Sequence, residues 1–147
     1  MVPVFKEPVS VLVLIHTADL RVLLLERADA PGFWQSVTGS RDSGETLVQT
    51  AIREVAEETG LDARQFPLRD WYHSNVFEIF ERWRARYGPG VTHNTEHVFS
   101  LSLPDALPVR LAPREHLAAR WLPWQEAAEE CFSWTNSAAI RRLGERG

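Results

Sequence analysis

One short segment limits what this chain can fold into more than any other. Thr46-Leu47-Val48-Gln49 has the form of a capping box, in which a Thr hydroxyl caps the helix start and a Gln side chain reaches back to it. Gly60 stands where a helix commonly ends in a left-handed residue. Between these signals Leu47, Ala51, Ile52 and Val55 recur at helical spacing as one apolar stripe. The segment is therefore predicted as an amphipathic helix held to a core by that stripe. Its other side is unusual. Glu54, Glu57 and Glu58 fall within roughly a third of the helix circumference. At the i,i+3 and i,i+4 spacings like charges repel by roughly a few tenths of a kcal/mol per pair. No lysine is interleaved there, and Arg53 is the nearby cation.

Such a face has two readings. It is a solvated acidic surface, or it is a site for a divalent cation such as Mg²⁺, a hard ion bound by one or a few carboxylates together with phosphate oxygens. The charge count bears on this. The chain carries 20 acidic and 16 basic side chains, a net charge of −4. Gly39 to Leu61 alone holds five acidic residues against Arg41 and Arg53. The remainder is nearly balanced, which speaks against a general nucleic-acid binder, since such proteins carry a basic excess. Arg82, Arg84 and Arg86 would share one face of a strand. They read as an exposed hairpin face over Trp83 rather than as a strip for single-stranded nucleic acid.

At 147 residues the chain is expected to form a single domain spanning residues 1–147. Val9–His16 reads as a buried strand and Val22–Glu26 as a second, joined by a turn at Asp19–Leu20. Ala28–Phe33 reads as a loop, Trp34–Thr38 as a short strand, and Trp71–Phe80 and Glu96–Leu103 as longer strands. Trp124–Phe132 and Ser137–Leu143 read as helices. Helices do not join the strands at regular intervals, so the expected class is α/β with a mixed sheet flanked by helices. The tryptophans are expected in the core or at its rim. The single cysteine, Cys131, reads as a small filler. The apolar run Val9–Ile15 is far shorter than the ~20 residues a membrane span needs, and no leader is read at the N-terminus. The expectation is therefore a cytoplasmic protein with no membrane partner.

The acidic helix belongs to a longer pattern. Gly39, five residues, Glu45, seven residues, then Arg53-Glu54-Val55-Ala56-Glu57-Glu58-Thr59-Gly60-Leu61 resembles the Nudix box at all nine specified positions. The resemblance implies the family's α/β/α sandwich and hydrolysis of a diphosphate linkage. It gives Gly39 the role of bringing the backbone close to a metal. It gives Glu54 and Glu58 the metal itself, with Glu57 as a third ligand and Arg53 orienting Glu57. Glu45 would anchor the loop before the helix, where a carboxylate suits the macrodipole.

Segments outside the box narrow the resemblance to one bacterial branch of the family. They are Lys6-Glu7-Pro8-Val9-Ser10, Phe33 to Ser40, Phe77-Glu78-Ile79-Phe80, Tyr87 to Glu96, Glu115-His116-Leu117 and Ser133-Trp134-Thr135-Asn136. That branch implies hydrolysis of dihydroneopterin triphosphate to the monophosphate and pyrophosphate, in folate synthesis, with dATP and other nucleoside triphosphates as slower or alternative substrates. The implied cofactor is Mg²⁺, with Mn²⁺ as a substitute. Glu115 would complete the metal site, and Glu58 or Glu115 would take the proton from water. Lys6, Arg27, Thr38, Phe77, Glu78, Ile79, Phe80 and Ser133 would contact substrate. Lys6 and Arg27 suit phosphate, and Phe77 or Phe80 suits a flat ring, although both cannot lie on one face of a regular strand. Without the resemblance, Glu115 reads as a helix-start carboxylate and Ser133 as a helix cap. Two other functions remain open: a Nudix hydrolase acting on ordinary or oxidised nucleoside triphosphates or ADP-ribose, and a module that senses a nucleotide without cleaving it. Monomer and homodimer are equally compatible with the sequence.

Overall fold

The computed structural model describes residues 4–146. Its centre is β1 (Val9–Thr17), a strand buried on both faces. Val11, Val13 and Ile15 join one apolar cluster, and Leu12 and Leu14 join the other. That alternation makes β1 the middle of a sandwich. β2 (Arg21–Arg27) returns antiparallel through a turn in which Leu20 takes φ 61°. The expected single strand Trp34–Thr38 is two strands with different partners. β3 (Trp34–Gln35) pairs with β2, and β4 (Val37–Ser40) pairs antiparallel with β1.

The helix α1 (Leu47–Thr59) carries both predicted end signals. Gln49 N–H donates to Thr46 Oγ1 at 3.1 Å, and Thr46 N–H donates to Gln49 Oε1 at 2.8 Å. Gly60 adopts φ 76° and closes the helix on Ala56 O. Ala51 and Val55 are buried against the β1 face formed by Val11 and Val13. β5 (Leu68–Glu78) and β6 (His93–Leu103) form an antiparallel pair, broken by a bulge between Asp70 and Ser74 that leaves Tyr72 exposed at φ 51°. β6 runs parallel to β1 in unbroken register from Val9↔Thr95 to Thr17↔Leu103. β7 (His116–Pro123) pairs with β2.

The sheet is therefore mixed, in the order β3-β2-β1-β6-β5, with β4 on β1 and β7 on β2. α2 (Trp124–Glu130) and α3 (Trp134–Arg146) cover the second face, burying Ala127, Ala128, Ala139 and Ile140 against Leu12, Leu14 and Val98. The result is the expected α/β/α layering. Cys131, just after α2, has its thiol pushed up to about 12 by burial, the state of a packed side chain rather than a nucleophile. Among the described residues no helix is long and apolar enough to cross a membrane.

Two further expectations about local structure fail. Glu81–Arg86 is a 3-10 turn, not a strand. In such a turn residues i and i+3 eclipse, and Phe80 and Trp83 use that spacing to stack at 5.2 Å. The three arginines consequently diverge: Arg82 lies over Trp83, Arg84 donates to Ile79 O, and Arg86 pairs with Asp29. The second failure is β7, where the sequence suggested the start of a helix at Glu115. The Ala118-Ala119-Arg120 stretch has weak strand propensity, and it is extended because β2 offers it a full row of partners.

Candidate active site

The box builds its site where α1 meets β4. Arg53 is the hub. Its Nε and Nη2 form a fork on Glu45, at 2.8 and 2.9 Å. Its Nη1 donates to Glu54 Oε1 at 2.7 Å and lies 3.3 Å from Glu57, and Nη2 also donates to Ser40 O. The strong partner of Arg53 is thus Glu45, whose carboxyl it holds down to about 2. Glu45 also accepts from Asp42 N–H and Thr50 Oγ1, which ties the loop before α1 to the helix.

Gly39 explains itself by contact. A Cβ there would lie 2.1 Å from Glu54 Cδ, so any side chain would displace that carboxylate from the strand backbone. Glu58 stands one turn further along beside Glu54, 2% exposed. Burial pushes both carboxyls up, Glu58 well above the ordinary range, where its neighbour Glu54 adds to the effect. Glu58 Oε1 has no hydrogen-bond partner, although His116 Nε2 lies 3.5 Å away. Burial, with the Arg27 charge second, pushes His116 down to about 4, so its ring is neutral.

These features fit a divalent cation. Two abutting carboxyls that resist ionisation when alone, one orphaned oxygen and a strand cradle kept open by glycine form a cation-accepting pair. Among the described residues no group of three or more His, Cys, Asp or Glu forms a ready-made cage. That suits a hard ion that takes one or two protein carboxylates and completes its shell from phosphate and water.

The pair opens onto a cleft of ≈ 1020 Å³. Lys6, Arg27, Thr38, Gly39, Arg53, Glu54, Glu58, Phe77, Glu78, Ile79, Phe80, Glu115 and Ser133 all line it. Glu57 does not; its half-exposed carboxylate faces Arg53. Glu115 is exposed on the turn before β7, with its carbonyl held by Ala28 N–H. Phe77 lies on β5 opposite Asn94, while Phe80 lies beyond the strand in the aromatic cluster of Phe33, Trp83 and Phe132. Ser133 shares a hydrogen bond with Thr135 at the start of α3. Trp134 is not core: it is 62% exposed at the cleft mouth.

A cationic group lines the same cleft. Burial, then the Arg86 charge, pushes Lys6 down. Arg27 forks onto Asp29 at 2.7 and 2.8 Å and stacks 4.1 Å over Trp83. Arg86 shares the same Asp29, whose carboxyl the two guanidiniums hold well below the usual range. Two guanidiniums on one carboxylate, with Lys6 close to Arg86, leave a net positive group.

Sequence reasoning missed several cleft residues: Ser10, Arg86, Tyr87, Asn94, Glu96, His116 and Asn136. Most lie inside segments already singled out. What was unused is the alternation of β6, whose polar Asn94 and Glu96 share a face with apolar Val98.

Comparison with known proteins agrees with this geometry. The NUDIX domain family matches residues 6–143. The chain is 49% identical to dihydroneopterin triphosphate diphosphatase of Escherichia coli K12 over 143 residues, covering 95% of this chain and 94% of that protein. It is 43% identical to the Haemophilus influenzae protein of the same name over 142 residues, covering 94% and 88%. The solved structure of the E. coli dihydroneopterin triphosphate pyrophosphohydrolase superposes with a TM-score of 0.92 at 47% identity, over 99% of this chain and 100% of that one. With the family pattern matched along nearly the whole chain and its box folded around one cleft, the chain belongs to the Nudix family.

Proposed function

We propose that this protein hydrolyses dihydroneopterin triphosphate to dihydroneopterin monophosphate and pyrophosphate, with Mg²⁺ as its cofactor. The observation that carries the reading is the presence, in one cleft, of the buried Glu54–Glu58 carboxyls together with the Lys6, Arg27 and Arg86 cations. A triphosphate needs both. The two bacterial relatives named above supply the substrate assignment. Nudix hydrolases generally use divalent metals, and Glu54 and Glu58 would hold the ion here. When bound, it would neutralise phosphate charge and acidify a water ligand.

The chain's own groups do the rest. Arg53, held by the Glu45 fork, fixes Glu54 over Gly39. Lys6, Arg27 and Arg86 balance charge on the phosphoryl oxygens. Glu115, exposed at the cleft, or Glu58 takes the proton of the attacking water. Phe77 and Ile79 give the ring an apolar wall. dATP and other nucleoside triphosphates are read as poorer substrates of the same site. The reaction is assigned to the cytoplasm, where a lone thiol such as Cys131 stays reduced.

The test is a panel of dihydroneopterin triphosphate, dATP, 8-oxo-dGTP and ADP-ribose with Mg²⁺. The expected outcome is the highest kcat/KM on the pterin compound, with pyrophosphate as product. A preference for dATP or ADP-ribose, or release of orthophosphate, would overturn the assignment.

A further inference from the structure

The end of the cleft away from α1 has a polar floor that the phosphate chemistry does not use. It is built on the α2/α3 face of the sheet. Glu96 on β6 pairs in register with Ser10 on β1, and Asn94, two residues earlier on the same face, pairs with Phe77 on β5. Asn94 and Glu96 are 3% and 5% exposed, and both line the cleft. Asn94 donates its amide to Ser10 Oγ at 2.7 Å. Asn94 Oδ1 and Glu96 Oε1 have no partner.

Two buried acceptor oxygens without donors are costly, and native proteins keep few of them. Those that persist call for a reason, and in the wall of a cleft a donor group of the ligand supplies one. Here the missing group must bring hydrogens, because an amide oxygen and an ionised carboxylate only accept. It must also be flat, since Phe77 borders the floor on the same face.

We infer that Glu96 sets specificity for the ring of the substrate: its carboxylate accepts from the ring N–H and the neighbouring exocyclic amino group of a 2-amino-4-oxopyrimidine, the edge that pterin and guanine share. This deepens the dihydroneopterin triphosphate reading and rests on it for the identity of the ring. A carboxylate is the side chain whose two oxygens match two adjacent donors. Rotation about the broad terminal torsion of Glu lets either oxygen face the cleft. Adenine presents an acceptor at the matching position, so it gains neither of these hydrogen bonds from the ionised carboxylate. The surroundings agree. Among the interactions acting on Glu96, the stabilising one comes from Thr135 and no cation contributes, so burial pushes its carboxyl up to about 7. A carboxylate meant for an arginine would sit beside positive charge, as Glu45 does, and one meant for a metal beside a second carboxyl, as Glu58 does.

The experiment compares wild type, Glu96→Gln and Glu96→Asp on dihydroneopterin triphosphate, GTP, ITP and ATP. ITP differs from GTP only by the 2-amino group. Inhibition constants replace kcat/KM for any triphosphate that binds without being cleaved. Wild type should favour GTP over ITP by about tenfold. Glu96→Gln should lower kcat/KM for the pterin compound and GTP by about ten- to a hundredfold, mainly through KM, bring the GTP to ITP ratio near one, and leave ATP unchanged or improved. Glu96→Asp should keep the preference for GTP at reduced efficiency. An equal loss on all four substrates, no loss, or a wild-type GTP to ITP ratio near one would overturn the role of Glu96. If wild type ignores the pterin compound, the substrate reading falls, and the GTP to ITP ratio still decides on Glu96.

Discussion

The cleft holds buried carboxylates at both ends, and their surroundings differ. Glu54 and Glu58 reach it from α1, beside the guanidinium of Arg53 and below the open backbone of Gly39. Glu96 rises from the sheet itself, with Thr135 beside it and no cation. Burial raises all three carboxyls. The same desolvation thus prepares two receptors. A close pair of carboxyls gains most from a divalent ion, which relieves their mutual repulsion as well as their burial. An isolated carboxylate in a neutral floor gains most from neutral donors. What a buried acid is for is decided by its neighbours more than by its own shift.

The largest expected effect separates the two ends directly. Glu58→Gln keeps the shape and removes one charge of the pair. Turnover with Mg²⁺ should fall by about a hundredfold to ten-thousandfold, and the rise in Tm that Mg²⁺ gives the wild type should shrink. Glu96→Gln should keep the full Mg²⁺ response. An equal Mg²⁺ response in wild type and Glu58→Gln would break the comparison.

Next comes a pH effect at the other end. The Glu96 carboxyl is raised from 4.5 to about 7 in the folded protein. Below the unfolded value both states are protonated and nothing is lost. As pH rises toward 7 the unfolded chain ionises first, so the folded state loses about 3 kcal/mol. Glu96→Gln lacks this loss. Its Tm should exceed that of the wild type by several degrees at pH 8, and the excess should vanish near pH 4. A gap that does not change with pH would show that the carboxyl is not strained by burial.

The smallest effect tests the hub. Arg53→Lys keeps a positive charge but cannot fork onto Glu45 while also reaching Glu54. A loss of about ten- to a hundredfold in kcat is expected, with KM for GTP and ITP changed in parallel. A selective change in the GTP to ITP ratio would mean that the two ends are coupled.

The two ends were unequally legible in the sequence. α1 is a local object: its cap, its stop, its apolar stripe and its carboxylates all lie within fifteen positions, so helical spacing alone places them. Gly39 was legible by pattern, and its physical reason, the contact with Glu54, needed coordinates. The far floor combines Ser10, Phe77 and Glu96, which only the sheet register brings together, with Thr135 from the start of α3. The aromatic-basic stretch from Phe80 to Arg86 misled because alternation suggests a strand, whereas the stacking of Phe80 on Trp83 favours a tight turn. β7 stayed hidden because its extended form comes from β2 and not from its own residues.

The parallel ladder between β1 and β6 sets the order in which this protein can come into being. Val9 must wait for Thr95, more than half the chain away, before the centre of the sheet can close. During synthesis α1 leaves the ribosome early, complete with all its acidic residues, but with no β6 to pair with β1. The ring floor waits longer still, for Thr135. A nascent chain therefore carries its signature long before it carries a catalyst. Closing so long a loop is slow because its entropy is lost before the pairing forms, and until it closes the edge of β1 stays open to other strands.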